Sequence, residues 1–226
     1  MAKKTNLFAD KLVEKDMYFT RAQLNKTVDV MPPSVTRIIS AAIKPRDRDF
    51  MKKQMRDKSS PMYKATTKGR NFHKALETGE VVDDFTERLV ELFQKDILTD
   101  IDEVWAQEKS LVHKDHGFYG KFDGVGIYKG KLTLFDYKKT NKPKTTNSSM
   151  RNYLVQVCAY KKAHDEMYPD FKIEQVSLFN LHGKTTEELG SNVKTLSIAE
   201  VGAHTDLFYK HLMEYQAGLK TVYVRD

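Results

Sequence analysis

The run Lys131-Leu132-Thr133-Leu134-Phe135-Asp136-Tyr137-Lys138 constrains this chain more than any other stretch. It reads as a strand, and residues two apart on a strand share a face, so Leu132, Leu134, Asp136 and Lys138 project to one side. An apolar row that ends in a carboxylate and an ammonium is odd for packing, because a buried charge pair is costly unless something else uses it. Lys129-Gly130 joins this strand as a hairpin to a preceding one over Phe118 to Tyr128. Within that earlier strand stands Gly120-Lys121-Phe122-Asp123-Gly124, and hairpin pairing sets Asp123 beside Asp136. Two close carboxylates repel unless a cation lies between them, and hard oxygen ligands suit Mg²⁺ or Mn²⁺. The alternative is a plain surface salt bridge between Asp136 and Lys138.

Other elements are placed around this centre. Pro32-Pro33-Ser34 opens a short helix through Ile38 and Ile39, with Ser34 as N-cap. Lys44 to Tyr63 is polar and basic and is expected to be exposed helix and loop. A helix begins over Gly69 to Leu76, and Phe85, Leu89, Leu92 and Phe93 recur at helical spacing after Val81-Val82. Trp105 to Val112 reads as a first strand, Arg151 to Tyr168 as a helix ended by Pro169, Ile173 to Leu181 as a fourth strand and Ile198 to Leu219 as a closing helix. The order predicts an α/β layer sandwich in which helices flank a central mixed β-sheet.

At 226 residues, with a hydrophobic fraction of 40%, the chain is sized for a single domain with a sizeable core. We expect an N-terminal extension over 1–30, a basic region over 31–68 and a core over 69–226. The formal charge, 38 − 31 = +7, makes polyanions the first partner class to consider. Its distribution says more. Lys44 to Lys74 holds eleven cations against Asp47, Asp49 and Asp57, and Lys121 to Lys144 holds seven lysines against Asp123 and Asp136. A single charge run is usually a solvated helix face, but two basic blocks around a carboxylate-bearing centre suit a phosphate backbone. No apolar run approaches the ~20 residues needed to span a bilayer. Cys158 is alone, so neither an internal disulfide nor a zinc knuckle is available. Met1 to Asp16 mixes Lys3, Lys4, Lys11 and Lys15 with Asp10, Glu14 and Asp16 and has no apolar segment, unlike a leader. The expected compartment is a cytoplasm, bacterial or that of a phage-infected host; a mitochondrial one requires that a leader has been removed.

Two helical pairs add chemistry. His73 and Glu77, four apart, share a helix face on which the imidazole can ligate a metal and the carboxylate can orient it, or they form an ordinary surface pair. Gln156 and Tyr160 are likewise four apart and can hold a phosphate or a base, although Tyr160 also suits a core.

Gly120-x-x-Asp123, then Asp136-Tyr137-Lys138, then Gln156-x-x-x-Tyr160 resembles the motif order of the RecB-like branch of the PD-(D/E)xK nucleases. Gly69-x-x-Phe72-His73-x-x-Leu76-Glu77 matches that branch's histidine-bearing first motif. Together with Pro33-Ser34-Val35-Thr36-Arg37-Ile38, these residues look like the mitochondrial genome maintenance exonuclease family, from about Pro33 to the last helix. The resemblance implies a restriction-endonuclease-like core. It implies that His73, Asp123 and Asp136 bind Mg²⁺ or Mn²⁺, assisted by the Tyr137 carbonyl, with Lys138 as the catalytic lysine. Glu77 and Gln156 would join the active site, and Ser34, Lys68, Arg70, Lys139, Gln156 and Tyr160 would contact nucleic acid. The third motif carries Asp136 where glutamate is commoner.

The activity so implied is metal-dependent hydrolysis of phosphodiesters, leaving 5′-phosphate and 3′-hydroxyl ends. The expected substrate is single-stranded DNA with a free end, acted on by a monomer in replication, repair or recombination. Lys138 would position the attacking water, or help deprotonate it if a nearby cation depresses its pKa. The rival readings are a structure-specific endonuclease of the same superfamily and an inactive DNA-binding recombination accessory protein.

Overall fold

A computed structural model describes residues 6–223; residues 1–5 and 224–226, Lys3 and Lys4 among them, lie outside it. The helices are α1 (Arg21–Leu24), α2 (Val35–Ala41), α3 (Pro45–Arg56), α4 (Pro61–Thr78), α5 (Asp84–Asp96), α6 (Asn147–Met167) and α7 (Ile198–Tyr223). The strands are β1 (Ile101–Gln107), β2 (Ser110–His113), β3 (Phe118–Lys121), β4 (Gly124–Tyr128), β5 (Lys131–Thr140), β6 (Gln175–His182) and β7 (Gly190–Ser197).

Five strands form one sheet in the order β1-β4-β5-β6-β7, and β2 pairs with β3 in a separate two-stranded ladder. All neighbours in the large sheet are antiparallel except β5 and β6, which run parallel because α6 crosses between them. The alternation along β5 sorts its side chains into two cores. Leu132 and Leu134 pack with Val176, Leu178 and the α6 residues Leu154, Val155 and Cys158, while Phe135 and Tyr137 pack with Phe179 and with Phe72, Leu89 and Phe93 of α4 and α5. The layers are therefore helix, mixed sheet, helix, as expected.

Local chemistry fixes the elements nearest the centre. Ser34 caps α2 by accepting from the Arg37 amide at 3.2 Å. Lys129 and Gly130 both take positive φ, 50° and 72°, which is the backbone a two-residue hairpin requires. Ser60 caps α4 with Pro61 in its first turn, and Gly79 ends it in the left-handed region at φ 70°.

Three sequence expectations are corrected, and one element is added. The helix carrying His73 begins at Pro61, not Gly69, so the boundary at 68 falls within a helix. Trp105 to Val112 is not one strand, because the chain breaks at Glu108-Lys109 between β1 and β2. Phe118 to Tyr128 likewise breaks at Phe122-Asp123, between β3 and β4. The edge strand β7 was not anticipated; among its residues only Leu196 is buried, so it lacks an apolar signature. Among the described residues no helix is long and apolar enough to cross a membrane.

Candidate active site

The two breaks lie opposite each other. The Glu108 amide donates to the Asp123 carbonyl at 3.2 Å, and the Phe122 amide donates to the Lys109 carbonyl at 3.1 Å. Pairing thus continues through a kink where the β1–β4 ladder hands over to the β2–β3 ladder. Glu108 sits at that kink with φ 53°, a left-handed conformation that a residue with a side chain adopts only at a cost. The kink carries Glu108 and Asp123 towards α4, where His73 waits.

His73, Glu108 and Asp123 each offer one ligand atom, and the three atoms lie within 4.8 Å of one another. His73 Nε2 donates to the Tyr137 carbonyl at 3.0 Å, which turns Nδ1 towards Asp123 at 3.8 Å and Glu108 at 3.9 Å. Burial works against a charged imidazole, but Asp123, Glu108 and Asp136 outweigh it and hold the His73 pKa above its ordinary value. Burial also works against a charged Glu108; His73 and the ammonium of Lys121, which pairs with it, reverse that and hold it below the usual carboxylate range. A hard divalent cation fits this donor set of two carboxylates and one imidazole, the nitrogen ligand favouring Mn²⁺.

Asp136 is placed differently. It is fully buried, and its carboxylate pairs with the Lys138 ammonium on the same strand face. Gln156 Nε2 approaches it at 3.4 Å and also donates to the Tyr160 hydroxyl at 2.9 Å. Burial first, and the neighbouring Asp123 second, push the Asp136 pKa up against the pull of Lys138. Burial opposes a charged Lys138, yet Asp136 and Asp123 leave its pKa raised, so the protein groups alone keep it an ammonium rather than a base. Asp123 ties the two halves together by accepting the Tyr137 amide at 2.8 Å.

The remaining sequence candidates divide. Glu77, Arg70 and Lys139 line one cavity of about 710 Å³ together with His73, Glu108, Asp123 and Lys138. Tyr160 is 2% exposed and packs against Gly120, where an added Cβ would come within 2.2 Å of its ring. The glycine of one motif thus makes room for the tyrosine of another. Lys68 donates to the Lys184 carbonyl at 2.7 Å and Lys139 to that of Gly183 at 2.8 Å, so both fasten α4 and β5 to the loop after β6. Burial and then Lys68 lower the Lys139 pKa to about 8. Ser34 serves as the α2 cap and is not among the residues lining the cavity.

Glu108, Lys121, Lys144 and Tyr153 are the site residues that sequence reasoning missed. The only signal for Glu108 was the polar pair Glu108-Lys109 interrupting an otherwise strand-like run.

No protein-family model matches the chain. Mitochondrial genome maintenance exonuclease 1 of Mus musculus is 31% identical over 155 residues, covering 60% of this chain and 46% of that protein. The Homo sapiens protein of the same name is 35% identical over 111 residues, covering 44% and 32%. The chain therefore spans less than half the length of these curated relatives. Among solved structures, an alkaline exonuclease from Laribacter hongkongensis overlies 86% of this chain and 94% of its own, with a TM-score of 0.34 and 13% identity. The sequence similarity to the two mitochondrial exonucleases relates the chain to a nuclease superfamily.

Proposed function

We propose that this chain is a metal-dependent exonuclease that hydrolyses single-stranded DNA from free ends. The observation that carries the reading is the convergence of His73, Glu108, Asp123 and the Asp136-paired Lys138 on one cavity walled by the basic helix α4.

His73, Glu108 and Asp123 would hold the cation, with Asp136 beside them. The chemistry such a divalent cation would supply is charge to offset the phosphate and a lowered pKa for attacking water. Lys138 is held over the same cavity by Asp136, where its ammonium can donate to a phosphate oxygen as charge develops in the transition state. Gln156 keeps Asp136 oriented, and Tyr160 anchors Gln156 from the core.

Helices α3 and α4 support the substrate reading. Of the eleven cations between Lys44 and Lys74, all but Arg48 and Lys68 are exposed, and α3 buries none of its residues. Met62, Ala65, Thr66 and Arg70 of α4 line the same cavity as His73, in the turns that precede it. A flexible single strand can enter beneath such a cover, whereas a duplex, ~20 Å across, has to melt first.

The test offers a linear single strand, the same strand circularised, and a blunt duplex, with Mn²⁺ and with EDTA. Rapid loss of the linear strand alone, abolished by EDTA, is the expected result. Cutting of the circle at the linear rate would replace the exonuclease reading with an endonuclease, and undiminished cutting in EDTA would remove metal from the account.

A further inference from the structure

A second chamber of about 360 Å³ adjoins the first, and the two share Lys144 and Tyr153. Its volume falls within the ~300–1,000 Å³ of small-molecule sites. The chemistry of the two chambers differs. The first is lined by the carboxylates of Glu77, Glu108 and Asp123, whereas among the described residues no carboxylate lines the second. Met51 of α3 lines it, Lys144 and Arg151 bring positive charge, and Tyr153 lines both it and the first chamber.

Tyr153 continues a stripe already in use. Residues 153, 156 and 160 fall at i, i+3 and i+7 on α6 and so share one helix face. Gln156 and Tyr160 serve Asp136, and Tyr153 stands one turn nearer the helix start. Its ring is partly exposed, with the Lys138 ammonium 5.4 Å and the Lys144 ammonium 5.7 Å from its centroid. Lys144 Nζ is pinned there by donating to the Ser149 carbonyl at 2.9 Å. An aromatic ring with two ammonium groups near its centroid, one of them paired to Asp136 in the candidate site, suits the alternation of base and phosphate along a nucleic-acid strand.

We propose that Tyr153 is a stacking platform for the nucleobase next to the scissile phosphate, and that the chamber behind it receives that nucleotide. This deepens the nuclease reading and rests on it. Lys138 and Lys144 take successive phosphates, and the tyrosine ring takes the base between them without reading its identity, because every base presents a π-face. Soft, polarizable Met51 covers the base from the side of α3. Tyr153 holds the strand in register; it does not exchange protons or ligate metal.

The experiment compares a linear oligodeoxynucleotide with the same strand carrying one abasic residue, digested by the wild type, Tyr153→Ala and Tyr153→Phe. Loss of stacking raises KM about tenfold in Tyr153→Ala with kcat little changed, and Tyr153→Phe, which keeps the ring, restores most of it. The wild type pauses about tenfold at the abasic step, whereas Tyr153→Ala, with no stack left to lose, shows no added pause. Equal pausing by wild type and Tyr153→Ala would overturn the proposal, as would a pure loss of kcat in Tyr153→Ala. If the wild type cuts no strand at all, the nuclease reading falls, and fluorescence anisotropy with the two oligonucleotides decides the stacking reading. Weaker binding of the abasic strand by the wild type but not by Tyr153→Ala then upholds it; equal binding of both strands by the wild type overturns it.

Discussion

Helices α3 and α6 both line the smaller chamber, through Met51 on one side and Arg151 and Tyr153 on the other, and are built on opposite plans. From Met150 to His164, α6 buries ten residues, packs against the sheet and carries Gln156 and Tyr160 to Asp136. Helix α3 buries none, packs against α4, and exposes Phe50, Met51 and Met55 among its charges. The groups that must hold position to within a fraction of an ångström are rooted in the core, and the charges that need only attract a polyanion stand on a cover the core does not require. Substitutions on the two sides should therefore fail in different ways.

The largest effect is expected on the core side. Lys138→Ala should lower kcat by about 10³-fold or more while leaving affinity for single-stranded DNA nearly intact, since one cation of many is lost from the track. The variant also leaves Asp136 buried without its partner, so melting measured alongside separates a catalytic loss from an unfolded protein. Full activity in Lys138→Ala would remove that residue from the mechanism.

Gly120→Ala sharpens the same side. Its Cβ would sit 2.2 Å from the Tyr160 ring, within a well-packed core, and such overpacking costs about 1–3 kcal/mol. Displaced Tyr160 carries Gln156 with it, so kcat should fall while Mn²⁺ affinity, which depends on other residues, holds. A variant as stable and as active as wild type would show that the ring has room to move.

The cover should behave otherwise. Replacing Lys52, Lys53 and Arg56 of α3 by glutamine should leave melting unchanged and kcat nearly so. KM should rise about five- to tenfold, and the salt dependence of binding should become shallower by ~0.7 per lost phosphate contact. A drop in stability would mean that α3 belongs to the core after all.

The smallest effect concerns pH. His164 of α6 is buried, and its Nε2 and the Tyr18 hydroxyl are hydrogen-bonded at 2.9 Å. Burial, only partly countered by Asp165, holds its pKa below the ordinary value of 6.5. The unfolded chain then binds a proton that the folded chain refuses, so stability is present above pH ~6.5 and is lost as pH falls through it. The melting temperature should drop by roughly 3 °C between pH 7.5 and 5.5, and less in His164→Gln. An equal drop in both would assign the acid sensitivity elsewhere.

Sequence carried the core side well and the kink poorly. Asp136 and Lys138 were legible because strand periodicity is strict and an apolar row ending in two charges stands out. Their pairing with Asp123 followed from the Lys129-Gly130 turn, which sets the register. Glu108 was hidden for the opposite reason. Its place depends on two ladder breaks meeting in space and on a non-glycine residue at φ 53°, neither of which has a compositional signature. Ser60 and Pro61 open α4, but the polar, basic composition around them obscured a helix whose first turns line a cavity and only whose last turns reach the core. Strand β7 escaped because an edge strand with one buried side chain leaves little alternation to detect.

The central claim is that the kink between the two ladders, by bringing Glu108 and Asp123 to His73, builds the cation site. Titration calorimetry of Mn²⁺ into the wild type and Glu108→Gln tests it without relying on turnover. The amide keeps the size of the side chain and removes its charge, so Mn²⁺ affinity should fall about 10- to 100-fold while the melting temperature without metal stays within a few degrees. Unchanged Mn²⁺ affinity in Glu108→Gln would contradict the account and return the cation to the Asp136 side of the site.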